Sequence, residues 1–193
     1  MTQRQGWIFV VSSPSGGGKT TLVQHLLHRQ PGLRRSVSVT TRPPRHGERR
    51  GKAYQFISRA RFAALRRRGA LLEWAKVHGA YYGTPRRPID QALAHGRDVV
   101  LNIDVQGARQ VRRLARGRAV LIFLLPRSLK ELARRLMRRR TDSPAGIQAR
   151  LRAARRELAC ARWYDYTVVN GRLQDAVDQL EAIVIAQRCR TRR

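Results

Sequence analysis

Cysteine, lysine, acidic side chains and long apolar runs are all scarce in this sequence, and each shortage excludes something. Two cysteines, Cys160 and Cys189, in 193 residues are too few for a disulfide framework, and both fall in stretches with helical periodicity, so they read as reduced thiols. The longest apolar runs, Trp7–Val11 and Ala119–Leu125, are strand-sized, far short of the roughly 20 residues a membrane-crossing helix needs. The N-terminus shows no charged segment followed by an apolar signal core. A soluble, cytoplasmic protein with no membrane partner is the expectation. Aromatics make up only 6%, and the sequence offers no zinc spacing, recognition helix or aromatic RNA-binding string, so a dedicated nucleic-acid reader lacks its parts.

The scarcity of acid leaves the charge lopsided. Forty-one Lys and Arg face 12 Asp and Glu, a formal charge of +29. Only four of the cations are lysine and 37 are arginine, spread over nearly every segment, which excludes a basic tail as the source. A field of that sign attracts polyanions whatever the fold, so weak, non-specific, salt-sensitive association with nucleic acid is expected as a side property. The length implies one domain with a sizeable core, and 42% hydrophobic residues put the chain well above disordered composition.

What is present is an alternation of short β-rich runs with longer amphipathic ones, the pattern of an α/β fold on a parallel sheet. Trp7–Val11, Asp98–Ile103 and Ala119–Leu125 read as strands buried on both faces, and Tyr166–Val169 as a shorter one. Ile147, Leu151, Ala154, Leu158 and Ala161 line one helical face, as do Leu173, Val177, Leu180 and Val184. Between about Leu33 and Ile89 the rhythm changes: Ser36–Thr41 alternates as a strand does, and Pro43, Pro44 and Gly47–Gly51 then break it. This reads as an inserted subdomain. Arg138–Gly146, with Thr141, Asp142, Ser143 and Pro144, has loop composition between two helices.

Directly after the first strand comes Ser13-Pro14-Ser15-Gly16-Gly17-Gly18-Lys19-Thr20-Thr21, followed by Leu22, Val23, Leu26 and Leu27 at helical spacing. Strand, glycine loop and helix make a phosphate-binding loop. Glycines let consecutive backbone N–H groups turn around a phosphate, and the helix N-terminus adds partial positive charge. Lys19 would reach the β- and γ-phosphates of a bound nucleotide, and the Thr20 hydroxyl would ligate Mg²⁺. Position 13 departs from the strict pattern, which has glycine there.

A phosphate loop gives a nucleotide and no more, so the acceptor must be read from the inserted segment. Arg42 and Arg45 offer forked donors to a phosphate monoester, and Tyr54 and Tyr82 offer hydroxyls to the same oxygens. Glu73 stands among apolar neighbours in Leu72-Glu73-Trp74-Ala75. Its two acceptor oxygens match the adjacent N1–H and N2–H₂ donors of guanine and mismatch adenine, whose N1 is itself an acceptor. Taken alone it reads more readily as an exposed strand residue paired with an arginine.

Together these strings resemble guanylate kinase, from Val10 to about Ile185. They are the phosphate loop, Ser36 to Arg45, Leu72-Glu73-Trp74-Ala75, Tyr81-Tyr82-Gly83-Thr84, Ile103-Asp104-Val105-Gln106-Gly107-Ala108, and Tyr164-Asp165-Tyr166 before Val168-Val169-Asn170. The resemblance implies a P-loop NTPase-type parallel-sheet core (1–34, 97–134 and 151–193), a nucleoside-monophosphate-binding insertion (35–96) and a lid (135–150). It implies phosphorylation of GMP, with dGMP as a further acceptor, by ATP and Mg²⁺ in purine metabolism. Ser38, Glu73, Thr84 and Asp104 would surround the guanine, and Arg42, Arg45, Tyr54 and Tyr82 would hold the GMP phosphate. Arg135, Arg139 and Arg150 match arginines that close over the ATP phosphates, and Asn170 a position near the adenine. An ionised GMP oxygen needs no general base, so the implied chemistry is in-line attack with Lys19, Mg²⁺, Arg139 and Arg150 stabilising the transferring group.

Two details bend from the family pattern. Arg138 and Arg140 flank Arg139 where glycines are usual, which crowds like charges in the lid. Asn102 stands where relatives often carry an acid, leaving Asp104 as the main acid of that strand end. A ribose-bisphosphate kinase shares the fold but has no guanine to read, which Ser38, Glu73 and Asp104 disfavour. A non-catalytic scaffold module of the same fold typically has a damaged phosphate loop, whereas Lys19 and Thr20 are intact. The sequence does not decide between monomer and homo-oligomer.

Overall fold

The computed structural model describes residues 5–44, 48, 51, 54–77, 79–115, 117–138 and 144–191. In chain order these form β1 (Ile8–Ser12), α1 (Lys19–Arg29), β2 (Leu33–Arg35), β3 (Ser38–Thr40), β4 (Tyr54–Phe56), α2 (Arg59–Arg67), β5 (Leu71–Val77), β6 (Ala80–Pro85) and α3 (Arg86–Ala94). They continue with β7 (Asp98–Asn102), α4 (Val105–Leu114), β8 (Ala119–Pro126), α5 (Leu129–Arg138), α6 (Pro144–Leu158), a 3-10 turn (Ala159–Trp163), β9 (Tyr166–Asn170) and α7 (Leu173–Arg188). The fold is mixed α/β with a parallel-sheet core. The chain divides into two compact units, one containing the residues up to Ile8 with Gly32–Ala119, the other Phe9–Pro31 with Val120–Arg193.

In the first unit β2 and β7 run parallel, with Leu33 opposite Asp98. Asp98 is buried, and its carboxylate accepts the Trp7 amide at 2.9 Å, so its burial is compensated by a hydrogen bond. A second sheet, in the order β4-β3-β6-β5, pairs β3 with β4 in parallel and with β6 antiparallel. The β5–β6 hairpin sets Glu73 opposite Thr84 and Trp74 opposite Gly83, after a register shift between Leu71 and Glu73. Val39, Phe62 and Leu71 form a core under this sheet, with Trp74 and Tyr81 packed on it, and the Phe62 and Tyr81 rings stack at 5.3 Å. Ser58 starts α2 by accepting the Arg61 amide at 3.2 Å.

In the second unit the strand order is β1-β8-β9, with β8 and β9 parallel and Pro126 opposite Asn170. Phe9, Val10 and Val11 are fully buried, as are Ile122, Phe123 and Leu124, which is why these strands read as unbroken apolar runs. Leu22, Val23 and Leu26 of α1 and Val177, Leu180 and Val184 of α7 are buried. Polar bonds join the two helices: Arg29 pairs with Asp178 and Glu181, and the Gln30 amide donates to Glu181 at 2.7 Å.

Two expectations shift in detail, and the expectation of two reduced thiols holds. The strand expected over Ser36–Thr41 begins at Ser38; Leu33–Arg35 is a separate strand, and the Ser36 amide donates to the Val100 carbonyl of β7 at 3.0 Å. The stripe on α6 is fully buried only at Ala154; Ile147, Leu151 and Leu158 are half-buried. Cys160 and Cys189 are unbridged, the first half-buried and the second exposed. Among the described residues no helix is long and apolar enough to cross a membrane.

Candidate active site

The candidate residues fall into two clusters, one in each unit. In the second unit the chain leaves β1 at Ser12 and re-enters helix at Lys19. Gly18, at the head of α1, has φ +85°, and a Cβ there would overlap the side-chain nitrogen of Asn170, so both backbone and space demand glycine. The Gly17 amide donates to the Pro14 carbonyl at 2.9 Å, closing the turn. From β9, the Asn170 side-chain amide donates to the Gly17 carbonyl at 2.7 Å and braces the loop from outside. Lys19 Nζ donates to the Ser13 carbonyl at 2.9 Å and to the Ser13 hydroxyl at 3.1 Å. The side chain at position 13 that breaks the strict loop pattern thus supplies a second contact to the lysine.

Two arginines reach the same loop. Arg150, on α6, donates to the Ser15 hydroxyl at 3.1 Å. Arg135, on α5, donates to Glu131 at 2.5 Å and to the Asn170 carbonyl at 3.4 Å, which holds its guanidinium beside Gly18. Ser15 and Gly16 are half-buried, whereas Thr20 and Thr21 are exposed at the start of α1. Among the described residues no group of three or more His, Cys, Asp or Glu could hold a metal ion. The Thr20 hydroxyl is a hard oxygen donor, the ligand type that Mg²⁺ takes beside nucleotide phosphates and water.

In the first unit, Glu73, Thr84 and Ser38 are buried together. The Thr84 hydroxyl donates to Glu73 Oε1 at 2.6 Å and lies 3.4 Å from the Ser38 hydroxyl. Since Thr84 spends its proton on the carboxylate, the Ser38 hydroxyl is the donor of that longer contact. Burial pushes the Glu73 carboxyl up to about 7; bonds from Thr84 oppose the rise and the Asp104 charge adds to it. Asp104 caps α4, its carboxylate accepting the Gly107 amide at 2.9 Å. Glu73 is therefore not the exposed, arginine-paired strand residue that it reads as when taken alone.

Beside them lies a cationic, hydroxyl-rich cluster. The Arg42 guanidinium stacks over Tyr54 at 5.2 Å and over Phe56 at 5.6 Å. Both its terminal nitrogens donate to Glu48, at 2.7 and 2.6 Å, the forked geometry an arginine also offers a phosphate. The Tyr54 and Tyr82 rings meet edge to face at 5.9 Å. Burial and the neighbouring Tyr82 raise the Tyr54 hydroxyl above its usual range, against the pull of Arg42 and Arg35. It stays a neutral donor.

The guanylate kinase family model matches residues 5–187. A guanylate kinase of Geobacter metallireducens is 47% identical over 98% of this chain and 93% of its own length, and one of Aromatoleum aromaticum is 50% identical over 96% and 90%. The crystal structure of guanylate kinase from Anaplasma phagocytophilum superposes with a TM-score of 0.82 at 35% identity, covering 97% of this chain and 88% of that one. The chain belongs to the guanylate kinase family.

Of the residues singled out in this guanylate kinase, the fold gathers Ser13–Thr21, Arg135, Arg150 and Asn170 in one unit and Ser38, Arg42, Tyr54, Glu73, Tyr82, Thr84 and Asp104 in the other. Arg45 and Arg139 lie outside the described residues. No motif announces Glu48; its place six residues after Arg42, beyond two prolines, is the available signal. The bracing bond from Asn170 to the loop was not legible either, because 153 residues separate its ends. Asn170→Ala leaves the buried Gly17 carbonyl without this donor, a loss of about 1–3 kcal/mol. The expected result in steady-state assays is an ATP KM raised about tenfold with the GMP KM unchanged; equal changes in both would show that the bond serves general stability instead.

Proposed function

We propose that this enzyme, which phosphorylates GMP to GDP at the expense of ATP, works by direct in-line attack of a GMP phosphate oxygen on the γ-phosphorus, accepts dGMP as a further acceptor, and acts in cytoplasmic purine-nucleotide metabolism. The buried Glu73 carboxylate carries the acceptor assignment. A carboxylate costs several kcal/mol to bury, and Thr84 alone offsets only part of that, so an arriving pair of N–H donors is strongly favoured. Guanine presents such a pair side by side; adenine, cytosine and uracil do not. Ser38, Thr84 and Asp104 complete the base-reading set. Arg42, Tyr54 and Tyr82, with Arg45, would orient the acceptor phosphate, and the stacking of Arg42 on Tyr54 and Phe56 fixes the plane of its fork.

On the donor side the loop amides and Lys19 would bind the β- and γ-phosphates, and Arg150 and Arg135 add charge as the migrating group spreads its own over three oxygens. Arg139 would join them from the lid. Mg²⁺ held by the Thr20 hydroxyl and the nucleotide would supply charge neutralisation at those phosphates. Neither sugar hydroxyl of the acceptor figures in this set, hence the expectation for dGMP. The test is a phosphotransfer assay with ATP across GMP, dGMP, AMP, UMP and CMP, together with the stereochemistry at an isotopically chiral γ-phosphoryl. GMP and dGMP turn over, the other three lag by at least about 10³-fold, and configuration inverts. AMP turnover rivalling that of GMP would remove Glu73 as the selector, and retention would remove direct transfer.

A further inference from the structure

The geometry points to Gly107 and Gln110 of α4 as positioning residues for guanine selection, with the bare Cα of Gly107 as the floor on which the Glu73 carboxylate rests and the Gln110 amide as the clamp that holds its strand. This rests on the acceptor assignment of Glu73 made above. A Cβ at Gly107 would fall well inside contact distance of Glu73 Oε2, 3.0 Å from Glu73 Cδ and 3.3 Å from Ile103 Cδ1. The carboxylate therefore lies directly on the helix backbone, with Oε1 on Thr84 at 2.6 Å on the other side. The same glycine donates its amide to Asp104 at 2.9 Å, so one residue locates both carboxylates of the base-reading set.

The clamp is three residues further along. β5 is at the edge of its sheet, and at Trp74 the side-chain amide of Gln110 takes the place of a neighbouring strand. It donates to the Trp74 carbonyl at 2.6 Å and accepts the Trp74 amide at 3.2 Å. Glu73 comes immediately before this clamp and immediately after the register shift that ends at it, where the hairpin's own ladder guides the strand least. Backbone held by Gln110 and side chain seated on Gly107 together set how deep the two acceptor oxygens lie and which way they face.

The test compares GMP with inosine monophosphate, which lacks only the 2-amino donor. Alanine is the better helix former, so Gly107→Ala keeps α4 and displaces the carboxylate. The expected result is a GMP KM raised about 30-fold with kcat at saturation within about twofold, and a GMP-over-IMP preference reduced at least about tenfold. The decisive readout is a reversal of sign. Glu73→Asp shortens the side chain by one methylene; it raises the GMP KM in the wild-type background and lowers it in the Gly107→Ala background, where the shorter side chain makes room for the new methyl. Gln110→Met, on a half-buried position, gives a smaller rise in GMP KM with kcat unchanged and carries the test if Gly107→Ala folds poorly. Wild-type protein that does not turn over GMP would overturn the acceptor assignment and this inference with it. Normal wild-type selectivity with an insensitive Gly107→Ala, or Glu73→Asp equally harmful in both backgrounds, would overturn the positioning role alone.

Discussion

Lys19→Ala is expected to fold as the wild type does and to lose about 10³-fold in kcat, the largest single effect of any substitution in the donor cluster. Lys19 is the half-buried first residue of α1, so truncating it opens no cavity and removes no cap. What it removes is a charge held in place. Its ammonium is anchored on the Ser13 carbonyl at 2.9 Å and the Ser13 hydroxyl at 3.1 Å, so it is already ordered at the loop before any phosphoryl group migrates. A preorganised donor of this kind acts on the transition state more than on the ground state. The loss therefore falls on kcat, while GMP affinity by calorimetry stays within about twofold of the wild type. Lys19→Arg does not rescue, because a planar fork cannot occupy the seat of a compact ammonium. A Lys19→Ala enzyme that kept a tenth of its kcat would shift the catalytic burden to Arg135, Arg150 and the lid.

Why could the Lys19 site be found in the sequence while the seat of Glu73 could not? The donor loop is local: strand, glycines, lysine and helix follow one another within Ile8–Arg29, and each residue type has its own physical reason at its own spacing. The same locality made β1, β7 and β8 legible, since burial on both faces leaves an unbroken apolar run. The acceptor cluster is instead assembled across the chain. Glu73 meets Thr84 through hairpin register, and meets Gly107 through the packing of α4 on β5. No spacing announces either contact, and a lone glutamate between apolar residues gives no sign of its burial. The break between β2 and β3 was hidden for a related reason. Only Ser36–Thr41 alternates in sequence; Leu33–Arg35 carries two arginines and is made a separate strand by its pairing with β7, while β3 pairs with β4 and β6.

Glu73→Gln is expected to trade selectivity for stability, with a pH dependence whose sign follows from burial. The Glu73 carboxyl is raised from an ordinary 4.5 to about 7, first by burial, with Thr84 pulling it back and Asp104 adding to the rise. A folded-state value above the unfolded one means that the group's contribution to stability is fully present below about pH 4.5 and is lost as pH rises toward 7, because the unfolded chain releases the proton first. By about pH 8 the loss approaches about 3 kcal/mol. Glutamine resembles the protonated acid and cannot ionise. The variant should therefore melt about 5–10 °C above the wild type near pH 8 and at nearly the same temperature near pH 5.

Activity moves the opposite way. Guanine needs both oxygens as acceptors, so it binds the ionised form, and wild-type KM for GMP rises about tenfold for each pH unit below the Glu73 value while staying flat above it. In Glu73→Gln one acceptor becomes an NH₂ group facing the donors of the base, so kcat/KM for GMP falls about 10³-fold and the pH dependence of KM flattens. The acceptor phosphate has its own ionisation near pH 6, but it enters both enzymes alike and cancels in their ratio. Melting curves and GMP titrations between about pH 5 and 8 read both arms on the same samples. A melting difference that does not change with pH, or a wild-type KM for GMP that is flat across that range, would mean that Glu73 is ionised throughout and that its buried seat is not what selects guanine.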